Sequence, residues 1–280
     1  MLPGKYTLKL VGLGEDGAAT GDLDLNGDVI IQSANAKVTV IKGKKDRVFH
    51  VLPGVTATIR QLAIAKGSLL TKDPNASSDD FEGGGILNQG TLSLDNVVVT
   101  GSTSLGNGGG ISNQSVLTMS QVAITKNKSL DRGGGLYNSA AGTVTASAVT
   151  IAKNQASDEG GGVSNSQTST VTMSNTILDR NAPFNCAGPV TPAGGNLETG
   201  ATCGLGPNDS NIKKMGLASL KINALGIFYP THLLKAGSPA IDNGNDTECP
   251  DLDQNFRSRI DVANVGASVC DSGATEFQGP

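Results

Sequence analysis

The chain has 280 residues, and its 21 Lys and Arg against 25 Asp and Glu give a formal net charge of −4. This weakly acidic balance argues against nucleic acid as a partner, because phosphate backbones are recognised by basic surfaces. Two histidines, no tryptophan and 38 glycines exclude multi-histidine metal centres and a core built on large aromatic side chains. The sequence contains no run of about 18 apolar residues, so we predict no transmembrane segment.

Short alternating segments fill the first 67 residues, and no signal-peptide pattern precedes them. GDLDLNGDVIIQ and KVTVIKGKKDRVFHV alternate apolar and polar residues, which is the period of a β-strand. Four apolar residues of segment 55–67 match the inward positions of the repeats that follow: Ala57, Ile59, Leu62 and Ile64. We therefore expect weaker coils here, followed by an insertion loop over residues 68–82.

Four regular repeats come next, and each begins with three consecutive glycines. The triplets start at Gly83, Gly108, Gly133 and Gly160, at spacings of 25, 25 and 27 residues. Within a repeat, apolar residues alternate with Ser and Thr in short pieces, and no 3.6-residue period occurs. A period near 25 with several short strands indicates one solenoid coil per repeat. We predict an all-β fold, a right-handed parallel β-helix.

Two columns of asparagine recur at fixed positions in these repeats. The first column comprises Asn88, Asn113, Asn138 and Asn165, and the second comprises Asn127, Asn154 and Asn181. Amides at equivalent positions of stacked coils hydrogen-bond to the coils above and below. We therefore expect structural asparagine ladders.

The amino-acid composition changes and the periodicity stops after residue 181. Residues 182–280 contain eight of the eleven prolines and all four cysteines, so we expect β-helix coils over 1–181 and a C-terminal coil or cap region over 182–280. Two local disulfides, Cys186–Cys203 and Cys249–Cys270, are the economical pairing, and they imply an oxidising compartment.

Several motifs resemble a known group of bacterial proteins. The GGGILNQGTLSLDN type of coil resembles right-handed parallel β-helix repeat proteins, and GAATGDLDLNGDVII resembles the opening coils of their CSLREA-type members. NCAGPVTPAGGNLETGATCGL, THLLKAGSPAIDNGNDTECPDLDQNFRSR and CDSGATEF closely resemble the choice-of-anchor Q domain ending. The resemblance implies an exported, extracellular or surface-associated solenoid with a disulfide-stapled C-terminal cap, and it supports both cysteine pairs. It brings no shared catalytic residues.

A column of basic residues stands immediately before the second asparagine column. Lys126, Lys153 and Arg180 are expected side by side, about 5 Å apart. Such a row could bind a linear acidic polysaccharide, or serve a lyase that neutralises a carboxylate and removes a proton. The alternative is that nearby carboxylates neutralise the row: Asp131, Asp158 and Asp179.

A second outward pattern consists of hydroxyl side chains. Pairs of Thr or Ser two residues apart recur in five coils, with one Val interruption: Thr56 and Thr58, Thr91 and Ser93, Val116 and Thr118, Thr143 and Thr145, Thr170 and Thr172. A flat, regular hydroxyl array could order water and bind ice. Threonine is also the common outward residue of any strand.

Two acidic segments are candidates for metal binding. Asp22-x-Asp24 opens like an EF-hand, but Ser33 stands where the bidentate Glu is required, and the alternation indicates a strand. The C-terminal region carries a cluster of possible calcium ligands: Asp242, Asn245, Asp246, Asp251 and Asp253. Side chains of this type also organise loops through Asx-turns.

The favoured interpretation is an exported, non-catalytic structural or binding protein: an adhesin, a surface-layer component or a filament subunit that could bind glycans. Head-to-tail association with itself would pair the open ends of the solenoid. The alternative is a polysaccharide lyase or hydrolase acting on an acidic glycan. No catalytic residue is assigned, because neither His50 nor His232 accompanies a nucleophile motif.

Overall fold

The computed structural model describes residues 1–10, 12, 14, 16–17, 19–34, 39–70, 77–206, 210–221, 230–259 and 270–279. These residues form three parallel sheets that wrap around an apolar core, and they contain no α-helix. Two short 3-10 turns, Asp79–Phe81 and Asp246–Glu248, lie outside the sheets. The predicted all-β parallel β-helix is confirmed. In the part of the chain so described, no helix has the length and apolarity needed to cross a membrane.

The largest sheet has 14 strands and bends into two arms. Its strands are β1 (Gly4–Thr7), β3 (Val29–Gln32), β4 (Thr39–Lys42), β6 (Thr56–Ala65), β9 (Thr91–Thr100), β12 (Val116–Ser120), β13 (Ala123–Thr125), β16 (Thr143–Ser147), β17 (Thr150–Ala152), β19 (Thr170–Ser174), β20 (Ile177–Asp179), β22 (Thr191–Pro192), β23 (Leu197–Thr199) and β24 (Ser210–Ile212). The long strand β9 pairs with β12 through its first half and with β13 through its second half. Each coil therefore contributes one segment to each arm.

Two smaller sheets close the coils. The seven-stranded sheet comprises β2 (Leu23–Leu25), β5 (Phe49–Val51), β8 (Ile86–Asn88), β11 (Ile111–Asn113), β15 (Leu136–Asn138), β18 (Val163–Asn165) and β21 (Cys186–Ala187). The three-stranded sheet comprises β7 (Ser68–Leu69), β10 (Thr103–Ser104) and β14 (Lys128–Ser129). All strand pairs in the three sheets are parallel, as stacked coils require.

The repeats stack in the predicted register. Leu117 pairs with Leu92 of the preceding coil and with Val144 of the following one, which in turn pairs with Val171. Along β12, buried and exposed residues alternate, so the apolar side chains point inward and the hydroxyls outward. The inward columns form one continuous core.

The chain turns at three columns of left-handed residues. One column separates the two arms of the large sheet and includes Asn96, with φ 53°, and Gln121, with φ 56°. A second column begins each glycine triplet, as at Gly133, with φ 66°. The third column follows the second arm and comprises Lys66, Gly101, Lys126, Lys153 and Arg180, of which the last three form the basic row.

Two segments outside the regular repeats also contain stacked strands. The coils continue past residue 181, because β21 pairs with β18 and β23 pairs with β20. In the other segment, the expected insertion loop 68–82 begins with strand β7, which pairs with β10. The glycine spacing does not predict these strands, because neither segment contains a glycine triplet.

The C-terminal region also covers the flank of the solenoid. Phe256 packs against a small apolar cluster on the second arm that contains Ala63, Val98 and Ala123. Gln254 Nε2 donates to the carbonyl oxygen of Val97 at 3.0 Å, across 157 residues of sequence. The region expected to be an end cap thus extends along the solenoid.

One of the two expected disulfides is present. Cys186 and Cys203 are bonded, which confirms the disulfide in the C-terminal region. The expected Cys249–Cys270 disulfide is wrong for this structure, because no S–S bond joins these two cysteines. Interaction between the two thiols lowers the pKa of Cys249 and, together with burial, raises the pKa of Cys270.

A buried network of Arg259, Glu276 and Asp271 holds the C-terminal region together and makes stability depend on pH. Arg259 Nη1 lies 3.0 Å from Glu276 Oε2, and both side chains are 1% exposed. Burial, followed by the neighbouring Asp271 charge, raises the pKa of Glu276 to about 8. Burial likewise raises the pKa of Asp271 to about 6. The folded state therefore retains protons that the unfolded chain has already released.

We expect the free energy of unfolding to fall as pH rises through the window from about 4 to about 8. Each retained proton contributes a slope of up to about 1.4 kcal/mol per pH unit. Urea denaturation at closely spaced pH values measures this slope. Burial also raises the pKa of Asp22 to about 7, so Glu276→Gln should remove most of the slope between about pH 7 and 8 and reduce it below pH 7. Glu159→Gln at an exposed position should leave the slope unchanged. A slope of the opposite sign, or one unaffected by Glu276→Gln, would contradict the assignment.

Candidate functional site

The basic row is built by three successive coils. Thr125 pairs with Ala152, and Ala152 pairs with Asp179, at the end of the second arm. The next residue of each coil is Lys126, Lys153 or Arg180, so the row follows the strand spacing of about 4.8 Å. All three residues have left-handed backbone conformations, with φ 57°, 59° and 53°. The sequence-predicted juxtaposition of these cations is therefore present.

Only part of the expected carboxylate neutralisation occurs. Asp179 is buried, and its Oδ2 accepts hydrogen bonds from Arg180 Nε at 2.9 Å and Nη2 at 2.8 Å. Asp131 and Asp158 lie instead near Arg132 Nε, at 3.7 and 3.9 Å. Within the described residues, no ion pair joins Lys126 or Lys153 to a carboxylate within 4.0 Å.

Positive charge converges on the middle of the row. Burial, and then the positive charge of Arg180, lower the pKa of Lys153, and Lys126 and Lys235 act in the same direction. Asp179 opposes them. An anion bound beside Lys153 would relieve this repulsion, because opposite charges at short range stabilise the charged form.

The row leads into a basic cleft at its C-terminal end. The cleft has a volume of about 330 Å³ and contains the cations Arg180, Lys213, Lys214 and Lys235. Asp179 is the one carboxylate among its lining residues. A shallower groove with a volume of about 470 Å³ adjoins the cleft and shares Arg180 and Lys213 with it. We call Lys126, Lys153 and these four cleft cations the basic surface.

The cleft lysines are placed by the C-terminal packing. Met215, Leu217 and Leu234 are buried in a second apolar cluster together with Ile177 of β20. This cluster fixes the segments that carry Lys213, Lys214 and Lys235 next to Arg180. Sequence reasoning missed these lysines because they lie outside the repeats; the Lys-Lys pair directly after the last stacked strand is the signal that could have revealed them.

The hydroxyl array is in register on the first arm. Thr118 pairs with Ser93 on one side and with Thr145 on the other, and Thr145 pairs with Thr172. In the neighbouring column, Val116 replaces a hydroxyl and is 42% exposed. The array is flat but interrupted, and it lacks the convergent charges of the basic surface.

The proposed calcium ligands mostly serve their own loop. Asp253 Oδ1 accepts backbone N–H bonds from Asn255 at 2.7 Å and Arg257 at 2.9 Å. Asn245 Oδ1 accepts from the Thr247 backbone at 3.2 Å. Among the described residues, the group of three carboxylate or imidazole ligand atoms that converges within 4.8 Å lies elsewhere, at Asp16, Asp24 and His50. Asp242, Asp246, Asp251 and Asp253 therefore form no such group there.

Both asparagine columns form hydrogen-bonded ladders. Asn113 Nδ2 donates to Asn138 Oδ1 at 2.8 Å, and Asn138 Nδ2 donates to Asn165 Oδ1 at 2.9 Å. In the second column, Asn127 Nδ2 donates to Asn154 Oδ1 at 3.1 Å. These amides are buried and satisfy one another, so they maintain the coil stack that positions the basic surface.

The basic surface can hold a ligand with several negative charges. Its cations lie on successive coils and in an adjoining cleft, which suits an extended anion better than a compact one. Comparison with protein-family models, curated proteins and solved structures found no match to this chain.

Proposed function

We propose that the protein is an exported, non-catalytic binding protein that holds a linear acidic polysaccharide on its basic surface. The observation that carries the proposal is the continuous path from Lys126 and Lys153 to the cleft at Arg180. Carboxylates repeat along a uronate polymer, so several can meet cations on successive coils. The Cys186–Cys203 disulfide supports export, because disulfides persist in oxidising compartments.

Multivalency favours a polymer over its monomer. Each exposed ion pair contributes little alone, about 0–1 kcal/mol. Linked carboxylates bind with a high effective concentration once the first has bound, so affinity rises steeply with chain length. Binding should also weaken as salt is added, because the cations are partly exposed.

Because the basic row has a left-handed backbone, its lysines can be replaced by glycine without straining the fold. Gly101 occupies the same column with φ 68°, so Lys126→Gly and Lys153→Gly fit the backbone without strain. We expect the double variant to bind polygalacturonate at least about tenfold more weakly at low salt, as measured by isothermal titration calorimetry. Lys9→Gln, at an exposed lysine outside the basic surface, serves as the control and should retain the wild-type affinity.

The same column permits a gain of binding. Gly101→Lys would fill the gap between Lys66 and Lys126. The left-handed backbone (φ 68°) strains any side chain here, but Lys126 and Lys153 adopt the same conformation in this column, and the new Cβ meets only Lys66 Cγ, at 3.9 Å. We expect tighter polygalacturonate binding, by about threefold or more. Unchanged affinity in both Gly101→Lys and the Lys126→Gly, Lys153→Gly variant would contradict the proposal.

One observation favours the alternative of a polysaccharide lyase. The lowered pKa of Lys153 increases its neutral fraction, so it could remove the proton next to a carboxylate that Arg180 neutralises. Incubation with polygalacturonate, followed through the absorbance of unsaturated products, separates the two functions. Product formation that Lys153→Gly abolishes would establish the lyase; binding without product supports the non-catalytic function.

A further inference from the structure

Two carboxylates and an imidazole converge on the outer face of the seven-stranded sheet. Asp24 of β2 pairs laterally with His50 of β5. His50 Nδ1 lies 3.3 Å from Asp24 Oδ1 and 3.3 Å from Asp16 Oδ1 of the N-terminal segment. The Asp24 and His50 side chains are 0% and 8% exposed, whereas Asp16 is 67% exposed. The group is thus anchored on the solenoid and open towards solvent at Asp16.

Neighbouring side chains determine which nitrogen of His50 carries a proton. Gln89 Nε2 donates to Asp79 Oδ2 at 3.0 Å, and a carboxylate oxygen can only accept this bond. Gln89 Oε1 therefore faces His50 Nε2 at 2.9 Å, and Nε2 must be the donor. In a neutral His50, the lone pair on Nδ1 then faces the two carboxylates. This arrangement is repulsive unless a proton or a metal ion lies between the three atoms.

The distances favour a metal ion over a proton at this site. A charge-assisted N–H···O⁻ bond has a length of about 2.7–2.9 Å, shorter than either 3.3 Å separation. Ligand atoms about 2.0–2.1 Å from a tetrahedral ion lie about 3.3 Å from one another. The two separations at His50 Nδ1 fit this spacing, and all three ligand atoms lie within 4.8 Å of one another.

We propose that Asp16, Asp24 and His50 bind a single Zn²⁺ ion, with the fourth position open to water. Two carboxylates neutralise the ion, and an imidazole suits Zn²⁺ far better than Ca²⁺, which requires six to eight oxygen ligands. The Nε2–H bond to Gln89 is the outer-shell contact that orients a metal-binding histidine. The ion would fasten the N-terminal segment to the first coils, which is a role independent of the basic surface.

Metal titration of the untagged, chelator-treated protein tests the proposal. We expect one equivalent of Zn²⁺ to bind, with a rise in the melting temperature, and Co²⁺ substitution to give a visible tetrahedral spectrum. Ca²⁺ should produce neither effect. Asp16→Asn and His50→Gln should each weaken Zn²⁺ binding at least tenfold, whereas Asp158→Asn at an exposed carboxylate should not.

Two controls keep the result decisive. Asp16 is exposed, so Asp16→Asn tests the site without the folding defect that a change at buried Asp24 could cause. Cys249→Ser removes a thiol that could itself bind Zn²⁺. Loss of binding in Cys249→Ser but not in His50→Gln, or absence of stoichiometric binding, would overturn the proposal.

Discussion

Asn138→Ala is expected to lower the free energy of unfolding by about 3–5 kcal/mol. Asn138 Nδ2 donates to Gly142 O at 3.0 Å, Asn165 Oδ1 at 2.9 Å and Thr170 O at 3.1 Å, and its Oδ1 accepts from Asn113. Alanine removes all of these bonds in a fully buried position. Each buried polar group left unpaired costs about 1–3 kcal/mol, and several are affected at once.

Urea denaturation measures this effect. Thr145→Ala provides the control, because Thr145 lies in the same repeat on the exposed face of β16. Its expected effect is within about 0.5 kcal/mol. A loss below about 1 kcal/mol for Asn138→Ala would show that the ladder contributes little to the coil stack.

Gly134→Ala is expected to destabilise the protein by at least about 3 kcal/mol and to reduce the soluble yield. A Cβ at this position would lie 2.4 Å from the carbonyl carbon and oxygen of Gln155 and 2.6 Å from Gly161 O. All three atoms belong to backbone, so relief requires adjacent coils to move apart. The parallel pairing of the whole stack opposes that movement.

Gly27→Ala is the matched control, since a Cβ there meets nothing within 4 Å. Its stability should remain within about 0.5 kcal/mol of wild type. Comparison of the two unfolding curves separates the close approach of coils from the general effect of replacing glycine. Equal stability of the two variants would contradict the tight contact at Gly134.

The repeats made the solenoid predictable from the sequence, because each coil has nearly the same length. Equivalent residues such as Asn113 and Asn138 then fall opposite each other, as their pairing in β11 and β15 confirms. The basic row followed from the same register. The sequence could not reveal that this column lies at left-handed corners, since Lys and Arg rarely adopt that conformation.

Features outside the repeats could not be predicted from the sequence, because they depend on contacts between distant segments. The approach of Lys213, Lys214 and Lys235 to Arg180 results from irregular C-terminal packing, for which periodicity offers no guide. The Cys249–Cys270 bond was predicted from local spacing and supported by the family resemblance, and neither determines whether neighbouring thiols are oxidised.

In the group of Asp16, Asp24 and His50, two residues follow from the coil register and one does not. Asp24 and His50 are 26 residues apart, which is one coil, so their lateral contact was accessible from the sequence once the first coils were aligned. The contribution of Asp16 was not, because it precedes the first strand of that sheet and belongs to no repeat.

Cross-linking of bound polygalacturonate tests the functional proposal most directly. Carbodiimide couples polymer carboxylates to lysine amines that they touch, and peptide mass spectrometry locates the products. We predict cross-links at the lysines of the basic surface, Lys126, Lys153, Lys213, Lys214 and Lys235, and their loss at high salt. Cross-links spread equally over Lys5, Lys9 and Lys44, or confined to them, would contradict glycan binding at this surface.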